Sequence, residues 1–218
     1  MCAFERSEKG MDFFMIKNII FDLGGVIFDY NPRKYIEKFG YDDKTIELLF
    51  NEVFWGKEWM GLATKPMGTF KEIKNQIKER IPEYATQIDE LESGNWKSIL
   101  TIKKDEEQFF KEIKSKGFKV YILSDLSKES YEYDINLSDI FQIADGATYS
   151  FEVGSNKPNT NNFTTLLNKY DLIPNESIFI DDNPNNIKTA NELGIHGIVF
   201  KNLEQCKKEL EEIIKSNK

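Results

Sequence analysis

An apolar run that stops abruptly at an acid or a hydroxyl occurs three times in this sequence, and no other feature narrows the fold as much. Ile19-Ile20-Phe21 ends in Asp22, Val120 to Leu123 ends in Ser124, and Ile178-Phe179-Ile180 ends in Asp181-Asp182. Unbroken apolar runs of this length describe strands buried on both faces, the condition of a parallel sheet. Between the runs the period lengthens. Phe163, Leu166, Leu167 and Tyr170 follow Lys157-Pro158-Asn159 at helical spacing, and a helix over 106–116 closes on Gly117. Alternating strand and helix implies an α/β fold, a mostly parallel sheet with helices on both faces. In such a sheet the C-terminal strand ends meet at one edge, where ligands bind.

The first of these runs continues as Asp22-Leu23-Gly24-Gly25-Val26. Glycines directly after a strand-end acid allow a sharp turn and leave room for a ligand. Val26 to Tyr30 reads as a short extended piece stopped by Asn31-Pro32. From there to about residue 100 the pattern is helical. Ile46, Leu49, Phe50 and Val53 share a face, Thr69 and Glu72 form a capping box ahead of Phe70, Ile73 and Ile77, and Tyr84, Ile88 and Leu91 mark another helix. Trp55, Trp59 and Trp96 all fall in this segment and read as packing anchors. The expected organisation is an N-terminal extension over 1–14, a core over 15–30 and 101–218, and an inserted helical cap over 31–100. In the core, Phe141–Ala144, Gly146–Tyr149 and Ile198–Phe200 read as short extended pieces, Lys157 as the opening of a helix, and Leu203–Ile214 as a terminal helix. Met15 offers a second start site.

Of 218 residues, 40% are hydrophobic and the formal net charge is −8, enough for a sizeable core and the wrong sign for a nucleic-acid partner. No apolar run approaches the ~20 residues of a membrane span. The N-terminal residues do not read as a secretory leader. Cys2 and Cys206 make no metal spacing, which suits a reducing cytoplasm, and the one histidine, His196, reads as structural and excludes a polyhistidine zinc site.

Asp22, Ser124, Lys157 and Asp181-Asp182 stand at successive strand–helix junctions and have a joint chemical sense. Clustered carboxylates need a positive charge to stay ionised. Three hard oxygen ligands suit Mg²⁺. A hydroxyl at Ser124 and the point charge of Lys157 suit a phosphoryl group, and one carboxylate is free to attack phosphorus.

The segments IIFDLGGVIFD, VYILSD, GSNKPN and IFIDDNPNN, with NELGI after them, resemble the haloacid dehalogenase superfamily of hydrolases, in the subgroup whose helical cap follows the first strand. The resemblance spans Ile16 to Phe200. It implies a Rossmann-like core, bound Mg²⁺ and hydrolysis of a small phosphorylated metabolite, a sugar phosphate among the candidates, through an aspartyl phosphate. It assigns Asp22 as nucleophile, with Ser124 and Lys157 as catalytic partners. Gly24, Gly25, Ser124, Asp125 and Lys157 are the expected phosphate contacts. Asp22, Asp182, Asp181 and the Gly24 carbonyl are the expected metal shell, with Asn186 where a further acid often stands. Arg33, Lys34, Lys57, Trp59 and Lys65 are candidate specificity residues of the cap. The chain departs from the pattern at Gly24, where these phosphatases usually carry the aspartate that transfers the proton. Two readings follow: a phosphatase that protonates its leaving group by other means, and a phosphate-ligand binder with little turnover. The acidic pair speaks against a metal-free dehalogenase, and the order of the motifs against a phospho-acceptor receiver domain.

Overall fold

The computed structural model describes residues 15–217, so the expected extension over 1–14, Cys2 with it, lies outside the described residues. Among the described residues there are seven strands: β1 (Asn18–Phe21), β2 (Phe28–Tyr30), β3 (Leu100–Ile102), β4 (Lys119–Ser124), β5 (Gly146–Tyr149), β6 (Ser177–Asp181) and β7 (His196–Val199). Five of them form a parallel sheet in the order β5-β4-β1-β6-β7, with Ile19 opposite both Val120 and Ile178. The three acid- and hydroxyl-tipped runs are therefore the three central strands, side by side and in register.

Their apolar residues divide by side. Ile19, Phe21, Val120, Ile122, Ile178 and Ile180 join one cluster with Phe109, Phe110 and Ile113 of the helix Lys104–Ser115. Ile20, Tyr121, Leu123 and Phe179 join another with Phe163 and Leu166 of the helix Thr160–Lys169. Burial on both faces is why these runs are continuous rather than alternating.

Residues 32–99 are helical and pack around a cluster of their own, with Leu49, Phe54, Phe70, Ile77 and Ile88 fully buried. The Thr69–Glu72 capping box is formed, each backbone N–H donating to the other's side chain, at 3.3 and 3.2 Å. Two connections join this segment to the sheet, and they pair with each other: β2 and β3 are antiparallel, Asp29 opposite Thr101. Ser150 Oγ donates to the Ala63 carbonyl at 2.7 Å, Asn156 Nδ2 to the Met60 carbonyl at 2.9 Å, and the Phe70 N–H to Glu129 at 3.0 Å, holding the helices over the strand ends.

Several local expectations need correction. Phe141–Ala144 is not extended; Ile140–Ile143 forms a helical turn. Lys157 does not open a helix. Pro158 disfavours helical backbone at the residue before it, and the helix starts at Thr160 behind the Asn159 side chain, which accepts from the Asn161 N–H. β3, which begins where the helical stretch ends, was not expected. The last strand is His196–Val199 rather than Ile198–Phe200.

Candidate active site

The site forms where β1, β4 and β6 end. Asp22 follows β1 and is 8% exposed; Ser124 ends β4 and is 4% exposed; Asp181 ends β6 and is wholly buried. Lys157 reaches them from the loop ahead of Thr160. Its backbone N–H donates to the Asp125 carboxylate at 3.0 and 3.1 Å, which anchors the loop against the end of β4. From there Lys157 Nζ donates to Asp181 Oδ2 at 2.7 Å and the Leu123 carbonyl at 3.0 Å, and stands 2.9 Å from Asp22 Oδ1 in an ion pair. The ammonium has three protons, and these two hydrogen bonds leave one for a ligand.

Asp181 is held from every side. Asn186 Nδ2 donates to both of its oxygens, at 3.0 and 2.9 Å, and the Asn183 N–H donates to Oδ1 at 2.8 Å. Asp182 is differently placed: one residue past the strand end, it opens to solvent. Gly25 has φ +74° and passes so close that a Cβ there would stand 2.2 Å from Asp182 Oδ2. Glycine is thus required at 25 by conformation and by space. At Gly24 the opposite holds, and a Cβ would meet nothing within 4 Å.

The electrostatics follow from this crowding. Burial pushes the Asp22 carboxyl well above the usual carboxylate range; Lys157 pulls it down and Asp181 adds to the rise. Burial works against the Lys157 ammonium, but Asp22, Asp181 and Asp125 outweigh it and hold the charge. Asp182 is raised too, by desolvation first and then by Asp181. One lysine does not balance this much negative charge, so the site calls for a further cation.

The donor set fits a hard divalent ion. Carboxylate oxygens of Asp22, Asp181 and Asp182 lie within 4.8 Å of one another. Asn186 Oδ1 is buried without a partner, an acceptor left for an ordered water. All-oxygen ligation with retained waters is the habit of Mg²⁺.

A cavity of about 570 Å³ opens from these groups to the helical segment. Asp22, Gly24, Gly25, Ser124, Lys157 and Asp182 line its inner end, and Asp125 and Asn186 also reach it. Asp181 does not line it; its carboxylate is spent on Lys157 and Asn186. Of the five candidate specificity residues, only Trp59 lines the cavity. Arg33 instead pairs with Glu47 at 2.5 Å, and Lys57, 82% exposed, lies 4.0 Å from Glu58. Tyr30, Trp55, Met60 and Asn156 line the outer part and were not singled out by sequence reasoning as ligand contacts. Their adjacency to flagged positions, Tyr30 to Asn31-Pro32 and Asn156 to Lys157, was the available signal. Trp55 is 53% exposed, so the packing role expected for it does not hold, whereas Trp96 is buried at 4%. His196 is remote from the cavity and makes a 3.3 Å contact with the Asn175 carbonyl.

The chain is similar to known proteins over most of its length. The family of haloacid dehalogenase-like hydrolases matches residues 16–194. A D-ribitol-5-phosphate phosphatase of Bacteroides thetaiotaomicron is 26% identical over 93% of this chain and 100% of that protein. A sesquiterpene phosphatase of Aspergillus oryzae is 24% identical over 84% of this chain and 88% of its own. A haloacid dehalogenase family enzyme from Bacteroides thetaiotaomicron, solved as a magnesium complex, superposes with a TM-score of 0.67 at 25% identity, covering 85% of this chain and 93% of that one. The chain belongs to the haloacid dehalogenase-like hydrolases.

Proposed function

We propose that the protein is a Mg²⁺-dependent phosphomonoester hydrolase acting on a small phosphorylated metabolite, with Asp22 as nucleophile. The observation that carries the reading is the Lys157 ammonium held between Asp22 and Asp181, at 2.9 and 2.7 Å, beside the outward-facing Asp182 and at the closed end of a cavity. Two named relatives act on phosphorylated substrates, and one solved relative carries magnesium.

In this reading Asp22 and Asp182, with the Gly24 carbonyl, would hold Mg²⁺, which would neutralise charge on the phosphoryl group. Lys157 and the Ser124 hydroxyl orient the phosphoryl oxygens. The Leu23 N–H, 2.7 Å from Asp22 Oδ1, fixes the carboxylate rotamer and leaves Oδ2 to attack. As the Asp22–phosphorus bond forms, the ester P–O bond breaks, and the departing alkoxide takes a proton from water in the cavity. Water then attacks the aspartyl phosphate, releasing inorganic phosphate and the free carboxylate. Asp181 positions Lys157 rather than touching substrate. The helical segment, residues 31–100, is the cap that limits water and selects the substrate.

The open space at Gly24 favours one second reading, a phosphate-ligand binder with little turnover. Hydrolysis of p-nitrophenyl phosphate over a range of Mg²⁺ concentrations separates them. Turnover that needs Mg²⁺ and is lost in Asp22→Asn is expected. Wild-type turnover in that variant overturns the assignment, and no turnover together with thermal stabilisation by sugar phosphates favours the binder.

A further inference from the structure

The cavity has an unusual charge inventory for a phosphate site. Asp22, Asp29, Asp125 and Asp182 line it, and among the described residues Lys157 is its one cationic lining side chain. That ammonium is already paired with Asp22 and Asp181. Three cations of the helical segment are paired with acids of that segment. Arg80 pairs with Glu52 and Glu58, Lys74 with Glu92 at 2.6 Å, and Lys78 with Asp89 at 2.6 Å. Among the described residues no side chain lining the outer end is cationic, and Asp29, which lines it, is exposed.

What the outer end does offer is an apolar wall. Trp59 is wedged edge-on among Phe54, Phe70 and Trp96, with ring centroids at 4.8, 5.2 and 5.4 Å, so its orientation is fixed. Tyr30 and Trp55 meet edge to face at 6.3 Å and 88°. Trp55 and Met60 remain 53% and 42% exposed although both line the cavity. Large apolar side chains left open at a cavity mouth mark a surface that a ligand covers.

We propose that this site selects the monophosphate of an electrically neutral alcohol whose body lays an apolar face on Tyr30, Trp55 and Trp59, and that it rejects substrates bearing a second phosphate or a carboxylate. The proposal deepens the phosphatase reading and rests on it for turnover, but its selectivity is also a property of binding. Repulsion by an exposed acid, with no compensating cation, is worth roughly 10–100-fold against a second anion. Stacking on the aromatic wall favours the C–H face of a sugar ring or an aryl group over a fully hydrated polyanion.

The test uses matched pairs with Mg²⁺ present: glycerol 3-phosphate against 3-phosphoglycerate, glucose 6-phosphate against 6-phosphogluconate, and fructose 6-phosphate against fructose 1,6-bisphosphate. Both kcat/KM and the calorimetric Kd are read for each. The neutral-bodied member is expected to win by about tenfold or more in every pair. Trp55→Ala, a change at an exposed position, is expected to raise KM for glucose 6-phosphate several-fold while leaving inhibition by inorganic phosphate unchanged. Equal or better binding of the doubly anionic members overturns the proposal, as does a Trp55→Ala variant with unaltered KM. If none of the six esters is hydrolysed, the phosphatase reading fails, and the Kd ratios still decide the selectivity.

Discussion

Replacing Lys157 with methionine removes one charge and keeps most of the side-chain volume, and its effect on stability can be worked out from the site. Lys157 is 2% exposed and Asp181 0%, so the pair is screened by protein rather than water. Removing one partner of a buried pair costs about 3–5 kcal/mol, because the other charge is left uncompensated. For a chain of this size that is a fall in Tm of roughly 6–20 °C. The pH dependence carries the diagnostic sign. Asp22 already titrates above its usual 3.8 in the folded protein, through burial first, and without Lys157 the rise is larger. A folded state that binds more protons than the unfolded chain loses stability as pH climbs from about 4 to the raised pKa. The lysine's own pKa is raised from 10.5, so its contribution is complete below that value and does not vary over the same range. Below about pH 8 Asp22 is protonated in both folded proteins, so the gap between wild type and Lys157→Met is level at pH 6 and widens by pH 9.5, where Asp22 ionises in the wild type alone. Chemical denaturation at both pH values, without added metal, measures it. A gap below about 1 kcal/mol at pH 9.5, or one of equal size at pH 6 and pH 9.5, would refute the claim that Lys157 holds the carboxylates together.

Three further outcomes are expected. Gly24→Asp fits without a clash and restores a proton donor two residues after the nucleophile, so it should raise kcat for an alkyl phosphate toward the ~10²–10⁴-fold of general acid catalysis; p-nitrophenyl phosphate, whose leaving group needs no proton, should respond much less, and an equal response contradicts the proton-transfer argument. Gly25→Ala places a Cβ 2.2 Å from Asp182 Oδ2 at a φ of +74°, so the Mg²⁺ concentration for half-maximal activity should rise; an unchanged Mg²⁺ titration sinks the role given to Asp182. Asp134 is buried with both oxygens unpartnered, and burial raises its pKa to about 7. Its cost is absent below pH 4 and complete above pH 7, so Asp134→Asn should gain stability at pH 8 relative to pH 5, by at most roughly 3 kcal/mol. Melting curves at the two pH values check this, and a pH-independent difference contradicts it.

The parts of the fold that were readable from the chain are those where burial dictates composition. β1, β4 and β6 sit at the centre of the sheet, and their residues from Ile19 to Phe21, Val120 to Leu123 and Ile178 to Ile180 have to be apolar on both sides. The polar residue ending each run marks the sheet edge, which is why Asp22, Ser124 and the Asp181-Asp182 pair were found. β3 was missed because it is three half-exposed residues whose partner, β2, lies some seventy positions away in the chain. The turn at Ile140–Ile143 is too short to display a helical period. The division of labour within the acidic pair is visible only in three dimensions. Asp181 is still in the strand and faces Lys157, whereas Asp182 lies just past it and faces the cavity. Arg33 pairs with Glu47 away from the cavity, because a sequence shows charge and not which neighbour absorbs it.

The most direct test of the account is a crystal structure grown with Mg²⁺ and orthovanadate. The prediction is one ion bound by carboxylate oxygens of both Asp22 and Asp182, and vanadium seated between Asp22 Oδ2 and the cavity, with Lys157 Nζ and Ser124 Oγ on its oxygens. A vanadate bound away from Asp22, or an ion that one of the two aspartates does not touch, would contradict it.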